Sequence, residues 1–295
     1  MASTPDGKPS GILNLAFFKC DSLEKESIEK HGEYQDVIHN LFEPLLPEHL
    51  KLETKSYDVL DKREYPTDDE LKDIDAIIIS GSFEDDAHED AIWILKLAGF
   101  LIKIHDDFPR IRMIGICFGL QVLARAFGPS KIEPNPKGWE VGSTKVNLTD
   151  IGRKIVWGED ATSLEDASGL PDHVITRQIH SDIVSKLPPN FELLGSSEIC
   201  PIQGIVSFYE EGKETPAFTH SHQSTLPAEP WARVHIIAFQ GHPEWHEGII
   251  EPFISAYESD GTFTADFAEQ ARKQTRKEHD GVRVGKVLLK VLGVA

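Results

Sequence analysis

The first half of the chain alternates continuous apolar runs with longer segments in which apolar residues recur at helical spacing. Short apolar runs are typical of strands buried on both faces, whereas spacings of three and four residues are typical of amphipathic helices. The pattern predicts strands at residues 12–18, 51–59, 76–79 and 111–116. It predicts helices at residues 34–46, 66–72, 90–107 and 120–127. This β-α-β alternation indicates an α/β fold with a mostly parallel, doubly wound sheet and helices on both faces.

The pattern changes after residue 130, where apolar runs become shorter and turns more frequent. We interpret this region as a small antiparallel sheet insertion, with strands at residues 142–148, 174–178, 191–196 and 202–209. Another strand is predicted at 234–240, and charged helices follow from residue 255, with Phe263, Phe267 and Ala271 on one face. Three parts are expected: a flexible tail (1–10), one main domain (11–255) and a helical extension packed on or near that domain (256–295).

Charge and cysteine content narrow the possible partners and compartment. The 295 residues include 49 Asp and Glu against 30 Lys and Arg, which gives a net charge of −19. An acidic surface argues against nucleic acid or an anionic membrane as a partner. No secretory signal or long apolar span is evident, and the three cysteines (Cys20, Cys117 and Cys200) are odd in number and widely spaced. We therefore expect a cytoplasmic protein with reduced thiols.

One of these cysteines stands where a nucleophile is expected. Cys117 follows the predicted strand at 111–116 and precedes the predicted helix at 120–127, with Gly115 and Gly119 on either side. A sharp turn from strand to helix needs glycines because neighbouring backbones approach closely there. The N-terminus of that helix would favour the thiolate form of the sulfur. By itself, the segment is also compatible with a buried structural cysteine.

A second motif supplies a candidate base. The predicted strand at 234–240 is followed by the sequence G-H-P-E at 241–244. A cysteine nucleophile needs a base that accepts its proton and returns it to the leaving group, and that base needs an orienting acceptor. His242 and Glu244 lie two positions apart and can project to the same side of the chain.

Together these motifs resemble the class I, or triad, glutamine amidotransferase superfamily. The resemblance rests on G-I-C-F-G-L-Q at 115–121 and G-H-P-E at 241–244, and it covers about residues 11–255. Residues 135–142 and 178–182 are similar to segments of stand-alone members nearest to GMP-synthase glutaminase domains, a subgroup with plant γ-glutamyl peptidases and uncharacterised fungal proteins. Two departures are Gly241, where many members carry Phe, and the variable Leu120. The resemblance implies a flavodoxin-like fold for a catalytic domain at 11–255.

The resemblance also implies a Cys-His-Glu triad. Cys117 would attack the substrate, His242 would transfer the proton, and Glu244 would orient His242. Catalytic groups of open α/β sheets collect beyond the carboxyl ends of the strands, where Gly81, Cys117 and His242 all fall.

Other residues of the family motifs are expected to complete the site. Residues 77–82 resemble the strand and glycine turn that contributes to the oxyanion hole, so we expect backbone N–H donors at Gly81 and Phe118. The expected substrate-binding residues are Gln121, His180 and Ser181. The alternatives are packing within a helix for Gln121 and a structural hydrogen bond with Asp182 for His180.

The implied reaction is attack of the Cys117 thiolate on the side-chain amide of glutamine or of a γ-glutamyl group, followed by hydrolysis of a γ-glutamyl thioester. No metal, nucleotide or flavin cofactor is implied. The sequence has no G-x-x-x-x-G-K-[ST] phosphate loop, so we expect no ATP-dependent amination by this chain alone.

Three hypotheses about function stay open, because a fold alone does not decide between them. The first is a stand-alone hydrolase or transferase that acts on a small-molecule γ-glutamyl amide. The second is a glutaminase subunit that passes ammonia to a separate synthase partner. The third is a non-catalytic regulatory or ligand-binding protein, against which the intact triad argues.

Two histidine-rich segments are candidates for a metal site, although we expect none. Residues 242–246 differ in order from H-E-x-x-H and contain Pro243. His220 and His222 could bind a metal, but their turn-rich surroundings favour a loop. The acidic run 84–86 beside the predicted oxyanion turn is interpreted as a solvated loop, with recognition of a substrate amine as the alternative.

Overall fold

The computed structural model describes residues 11–160, 168–212, 215–216 and 230–294. The predicted tail at 1–10 and the segment with His220 and His222 lie outside these ranges. The described residues form eleven strands, in chain order β1 (Gly11–Lys19), β2 (Leu50–Asp58), β3 (Ala76–Ile79), β4 (Arg112–Ile116), β5 (Ile132–Pro134), β6 (Glu140–Leu148), β7 (His173–His180), β8 (Asp182–Val184), β9 (Glu192–Ser196), β10 (Gly204–Phe208) and β11 (Val234–Phe239).

The same ranges contain nine α-helices and three short 3₁₀ helices. The α-helices are α1 (Lys25–His31), α2 (Tyr34–Phe42), α3 (Asp68–Leu71), α4 (Ile92–Asp107), α5 (Phe118–Ala126), α6 (Asp150–Trp157), α7 (Glu247–Ser259), α8 (Ala265–Thr275) and α9 (Gly281–Val291). The 3₁₀ helices are Glu43–Leu45, Gly158–Asp160 and Trp231–Arg233. Within the described ranges, none of the helices combines the length and apolarity that a membrane crossing requires.

Nine strands form one mixed sheet in the order β2-β1-β3-β4-β11-β10-β9-β6-β7. The first five of these strands run parallel to one another, and the last four extend the sheet in antiparallel fashion. β5 and β8 form a separate two-stranded antiparallel sheet. The predicted fold class is confirmed. The inserted antiparallel strands continue the main sheet because β11 pairs with β4 on one edge and β10 on the other.

The alternation of side chains along β1 shows why the sheet is covered on both faces. Leu13, Leu15 and Phe17 belong to one buried apolar cluster, whereas Ala16 and Phe18 belong to the other. Helices α2, α6, α7, α8 and α9 contribute to the first cluster, and α3, α4 and α5 to the second. Parallel strands between two helical layers are apolar along their whole length, and all four residues of β3 are buried.

Two features of the helices differ from the sequence prediction. The helix predicted at 34–46 ends at Phe42 and continues as the 3₁₀ helix Glu43–Leu45, which has a proline in its first turn. Helix α6 was not predicted, although Thr149 caps it by accepting a hydrogen bond from the Gly152 N–H at 3.1 Å. Its buried face contains only Ile155 and Val156 with Gly152, which is a weak helical signal.

Candidate active site

Cys117 lies between β4 and α5 in a strained backbone conformation, with φ of 55° and ψ of −108°. Non-glycine residues rarely adopt positive φ, and such a conformation costs about 1–3 kcal/mol. Its N–H donates to the Phe239 carbonyl at 2.8 Å, which ties the turn to the end of β11. This hydrogen bond helps to hold the backbone of the predicted nucleophile in its strained conformation.

The two glycines that flank Cys117 allow three elements to approach each other. A Cβ atom at Gly115 would lie 2.6 Å from the carbonyl carbon of Gly119, and one at Gly119 would lie 2.4 Å from the Ile79 carbonyl oxygen. Both distances are far below van der Waals contact, and the opposing atoms are backbone. Glycine is therefore required on both sides of the cysteine.

The imidazole of His242 contacts Glu244 and Trp245. Its Nδ1 lies 2.8 Å from Oε1 of Glu244, and both side chains are fully buried. The ring stacks on Trp245 with 3.8 Å between ring centroids and 21° between planes. The other ring nitrogen, Nε2, is buried and has no hydrogen-bond partner among the described residues. This nitrogen is available for proton transfer.

Opposing effects act on the pKa of His242. Burial by itself lowers this pKa, since it disfavours the charged ring, but the negative charges of Glu244 and Cys117 outweigh burial and raise the pKa to about 10. The ring therefore keeps its proton at neutral pH. An imidazolium beside a cysteine sulfur stabilises the thiolate.

The carboxyl ends of three neighbouring strands meet at Gly81. A Cβ atom placed at Gly81 would lie 3.0 Å from Cε1 of His242, 3.3 Å from the Tyr34 hydroxyl and 3.6 Å from Cβ of Cys117. The structure thus brings together Gly81 after β3, Cys117 after β4 and His242 after β11. This is the arrangement expected for groups at the carboxyl edge of a parallel sheet.

Tyr34, the first residue of α2, belongs to the site although the sequence did not indicate it. Its hydroxyl donates to Oε1 of Glu244 at 3.0 Å and lies 3.2 Å from Nδ1 of His242. Burial and the charge of Glu244 raise the pKa of this phenol well above its ordinary value, so the hydroxyl keeps its proton. An aromatic residue at the start of a predicted helix resembles a core residue, and no local signal distinguishes Tyr34 from one.

The two predicted oxyanion donors are placed differently. The Gly81 N–H points at the Tyr34 hydroxyl, with 3.4 Å between N and O, and the next residue, Ser82, lines the cleft beside Cys117. Phe118 also lines this cleft. As the first residue of α5, Phe118 has an N–H without a partner inside the helix.

The cleft beside Cys117 has a volume of about 270 Å³. Gln121, His180 and Ser181, the predicted substrate-binding residues, all line it. Its other walls are mainly aromatic and acidic, formed by Phe83, Trp139, Tyr257, Asp85, Asp86 and Asp182 together with Ile179. The acidic run next to the oxyanion turn therefore faces the cleft at two of its three positions.

A chain of amides connects Gln121 to the sulfur. Nε2 of Gln121 donates to Oε1 of Gln240 at 3.2 Å and to the Asp182 carbonyl at 3.2 Å. Nε2 of Gln240 in turn lies 3.5 Å from Sγ of Cys117. Gln240 was not predicted as a site residue, although it ends the predicted strand at 234–240. Its amide gives Gln121 a structural partner within the site.

His180 forms part of a buried polar network behind the cleft. Its Nδ1 lies 3.0 Å from the Asp182 carbonyl oxygen, and its Nε2 lies 3.0 Å from Oε2 of Glu140. Glu140 also accepts hydrogen bonds from Gln203 at 2.6 Å and from Ser197 at 2.5 Å. This network holds the His180 ring in the wall of the cleft.

The family model Glutamine amidotransferase class-I matches residues 33–213. The chain belongs to this family. A glutamine amidotransferase-like protein of Schizosaccharomyces pombe is 31% identical over 271 residues, which cover 90% of this chain and 93% of the relative. Gamma-glutamyl peptidase 4 of Arabidopsis thaliana is 29% identical over 241 residues, which cover 81% of this chain and 80% of that protein.

A solved structure supports the same fold. The crystal structure of a glutamine amidotransferase from Thermotoga maritima matches with a TM-score of 0.64 at 16% identity, covering 95% of this chain and 98% of that chain. The family model and the relative from Schizosaccharomyces pombe confirm the predicted membership of the class I glutamine amidotransferase superfamily.

Gly241 lies in close contact with β7. A Cβ atom there would lie 2.5 Å from Nε2 of Gln178 and 2.9 Å from the Arg177 carbonyl oxygen on β7. The same carbonyl accepts a hydrogen bond from the His242 N–H at 2.7 Å. β7 thus packs directly against the turn before His242 and leaves no room for a side chain at position 241.

The histidine two positions after Glu244 has a structural contact. Nδ1 of His246 accepts a hydrogen bond from the Gly248 N–H at 3.1 Å and caps α7. This bond occupies one of the two nitrogens with which His246 could bind a metal.

Proposed function

We propose that this chain is a cysteine-dependent hydrolase that cleaves the γ-glutamyl amide of glutamine or of γ-glutamyl peptides through a thioester on Cys117. The observation that carries the proposal is the strained Cys117 beside a cleft, at the same sheet edge as the buried pair of His242 and Glu244. Family membership supports amide hydrolysis, and the similarity to a gamma-glutamyl peptidase supports γ-glutamyl substrates.

In the first step, the thiolate of Cys117 attacks the γ-carbonyl carbon, and a carbon–sulfur bond forms. The negative charge that develops on the carbonyl oxygen needs backbone donors. We assign this role to the Phe118 N–H and to the turn at Gly81, where Ser82 is the residue that lines the cleft. Removal of one such donor typically lowers the rate by about 10²–10³-fold.

The carbon–nitrogen bond then breaks, and ammonia or an amine leaves with the proton of His242 Nε2. Water attacks the thioester, His242 accepts a proton from it, and glutamate and the free thiol are released. Glu244 holds the ring through Nδ1 during both proton transfers. The residues assigned to substrate binding are Gln121, His180 and Ser181.

Intact-protein mass spectrometry with product analysis tests this function. Wild-type protein and Cys117→Ala are incubated with glutamine, glutathione and a γ-glutamyl anilide, and released ammonia or amine is quantified. Turnover of a γ-glutamyl substrate by the lone chain, with loss in the variant, supports the proposal. Turnover that persists in Cys117→Ala contradicts the assignment of the nucleophile.

The same experiment separates the other hypotheses. A glutaminase subunit would be silent on every substrate alone, while Cys117 would still react with a glutamine-mimicking electrophile such as a γ-glutamyl diazoketone. A non-catalytic protein would show neither turnover nor selective labelling. The division into a catalytic domain (11–255) and a helical extension (256–295) belongs to the same proposal.

A further inference from the structure

A second concave site lies next to the cleft at Cys117 and shares a residue with it. This groove has a volume of about 650 Å³ and runs between β6 and α8. Trp139 lines both the groove and the cleft. Glu140 lines the groove, and its partner His180 lines the cleft, so the two spaces are adjacent on either side of Trp139 and this buried pair.

The groove has a mixed lining of apolar and polar side chains, and the polar ones include Glu140, Ser143, Thr144, Gln270 and Gln274. Its apolar lining comes from Trp139, Val141, Ile199, Phe267 and Ala271. Lys273 and Lys277 also line it. Lys273 pairs with Glu269 at 2.6 Å, whereas the ammonium of Lys277 has no ion pair within the described part of the chain. The cleft has the opposite character, since Asp85, Asp86 and Asp182 line it.

The groove is built by close packing of two elements. The Ser143 hydroxyl donates to the Lys277 carbonyl at 3.0 Å. Gly142 has a φ of 88°, and a Cβ atom there would lie 2.5 Å from Cβ of Gln274. The end of α8 is therefore held directly against β6, which fixes the backbone of Lys277 beside the groove.

We infer that the groove between β6 and α8 is the leaving-group subsite, and that it takes an amino acid or short peptide with an apolar side chain and a free carboxylate. This inference rests on the proposed function. When the amide bond of a γ-glutamyl peptide is cleaved, the departing amine belongs to an amino acid that carries a side chain and a C-terminal carboxylate. The apolar lining accommodates the side chain, and Lys277 pairs with the carboxylate.

The charge distribution of the two spaces matches such a substrate. The glutamyl part carries an α-ammonium group, which the acidic wall of the cleft would attract. The leaving group carries a negative charge, which Lys277 in the lining of the groove would attract. Glutamine releases only ammonia, which is much too small to fill a groove of about 650 Å³. The substrates expected for this chain are therefore γ-glutamyl peptides with apolar leaving groups.

Steady-state kinetics with matched substrates tests the groove. The substrates are γ-glutamyl-leucine, γ-glutamyl-leucinamide and glutamine. The proteins are wild type, Lys277→Gln and the control variant Lys286→Gln. Lys286 is an exposed residue of α9 that lines neither the cleft nor the groove. We expect wild type to prefer the acid over the amide by about 3–10-fold, as for one charge-assisted contact at a partly exposed site. Lys277→Gln should remove this preference, mainly through KM, and Lys286→Gln should retain it.

A binding measurement separates the groove from the reaction. Calorimetry with Cys117→Ala should show that leucylglycine binds more tightly than leucylglycinamide, and that adding Lys277→Gln removes the difference. If no γ-glutamyl compound is hydrolysed but this binding pattern is found, the proposed function is wrong, whereas the groove is still a binding site for a peptide carboxylate. Equal binding of the two dipeptides, or an unchanged acid-to-amide preference in Lys277→Gln, overturns the inference.

Discussion

The hydroxyl of Tyr34 donates to Oε1 of Glu244 at 3.0 Å, the same carboxylate oxygen that lies 2.8 Å from Nδ1 of His242. The oxygen of this hydroxyl also faces the Gly81 N–H. One phenol, supplied by a helix on the face of the sheet, therefore contacts both the His–Glu pair and the turn after β3. The position of Glu244 depends on two donors rather than one.

Replacement of Tyr34 by phenylalanine should reduce kcat about 10-fold and leave KM nearly unchanged. The reason is that one hydrogen bond to a buried charged group is lost, whereas the cleft that binds the substrate is not altered. Steady-state hydrolysis of a γ-glutamyl anilide measures this effect. Tyr57→Phe is a matched control, because the Tyr57 hydroxyl donates to Glu70 at 3.3 Å, outside the site. Equal kcat values for the two variants would exclude a positioning role for Tyr34.

Replacement of Cys117 by glycine should give a more stable protein than replacement by alanine, by about 1 kcal/mol. Alanine usually exceeds glycine in stability, but at a φ of 55° an L side chain is strained and glycine is not. Urea unfolding of the two inactive variants measures the difference. Ala126→Gly at the end of α5 is the control and should be destabilising. A Cys117→Ala variant at least as stable as Cys117→Gly would contradict the idea of stored strain.

Sequence patterns were most informative where the cause of structure is local. The strand at 76–79 was predicted with its observed bounds, because all four of its residues are buried and a continuous apolar run is sufficient evidence. The turn at Cys117 was also accessible, since the glycines required by close backbone approach are two positions away on each side. Helix α6 was missed because its apolar face is short.

The parts of the site that could not be predicted depend on contacts between distant segments. Tyr34 and Glu244 are 210 positions apart, and Gln240 and Cys117 are 123 positions apart. No periodicity or motif around Tyr34 indicates that its hydroxyl meets a carboxylate from the other end of the chain. Likewise, the contact of the Gly81 N–H with this hydroxyl could not be foreseen from the glycine turn alone.

The charge of Glu244 should determine the alkaline limit of activity. It raises the pKa of His242, which burial alone would lower, so the protonated ring persists until the pH approaches about 10. In Glu244→Gln the opposing effect of burial remains, and loss of the protonated ring should occur at a lower pH. The dependence of kcat on pH measures this shift.

The control for this prediction is Glu251→Gln, which removes a carboxylate that pairs with Arg272 outside the cleft. In this variant, kcat should fall at high pH in the same range as in wild type. His242→Ala should lower kcat by about 10²–10⁴-fold relative to wild type, because it removes the proton carrier itself. This loss should exceed the loss in Glu244→Gln. An unchanged pH range for the fall of kcat in Glu244→Gln, or a larger loss of rate in that variant, would reverse the assigned roles.

The same substitution, glycine to alanine, should have opposite effects at two positions. At Gly119 the new Cβ would lie 2.4 Å from the Ile79 carbonyl oxygen, and since this oxygen belongs to the central strand β3, it cannot move away without disturbing the sheet. We expect a loss of about 1–3 kcal/mol in the free energy of unfolding, together with reduced alkylation of Cys117. At Gly99, in the interior of α4, nothing lies within 4 Å of the added atom, so Gly99→Ala should stabilise the protein by about 0.5–1 kcal/mol. Chemical unfolding of both variants measures the two changes in the free energy of unfolding. Unchanged or increased stability of Gly119→Ala would show that the close approach of α5 to β3 does not require a glycine at position 119.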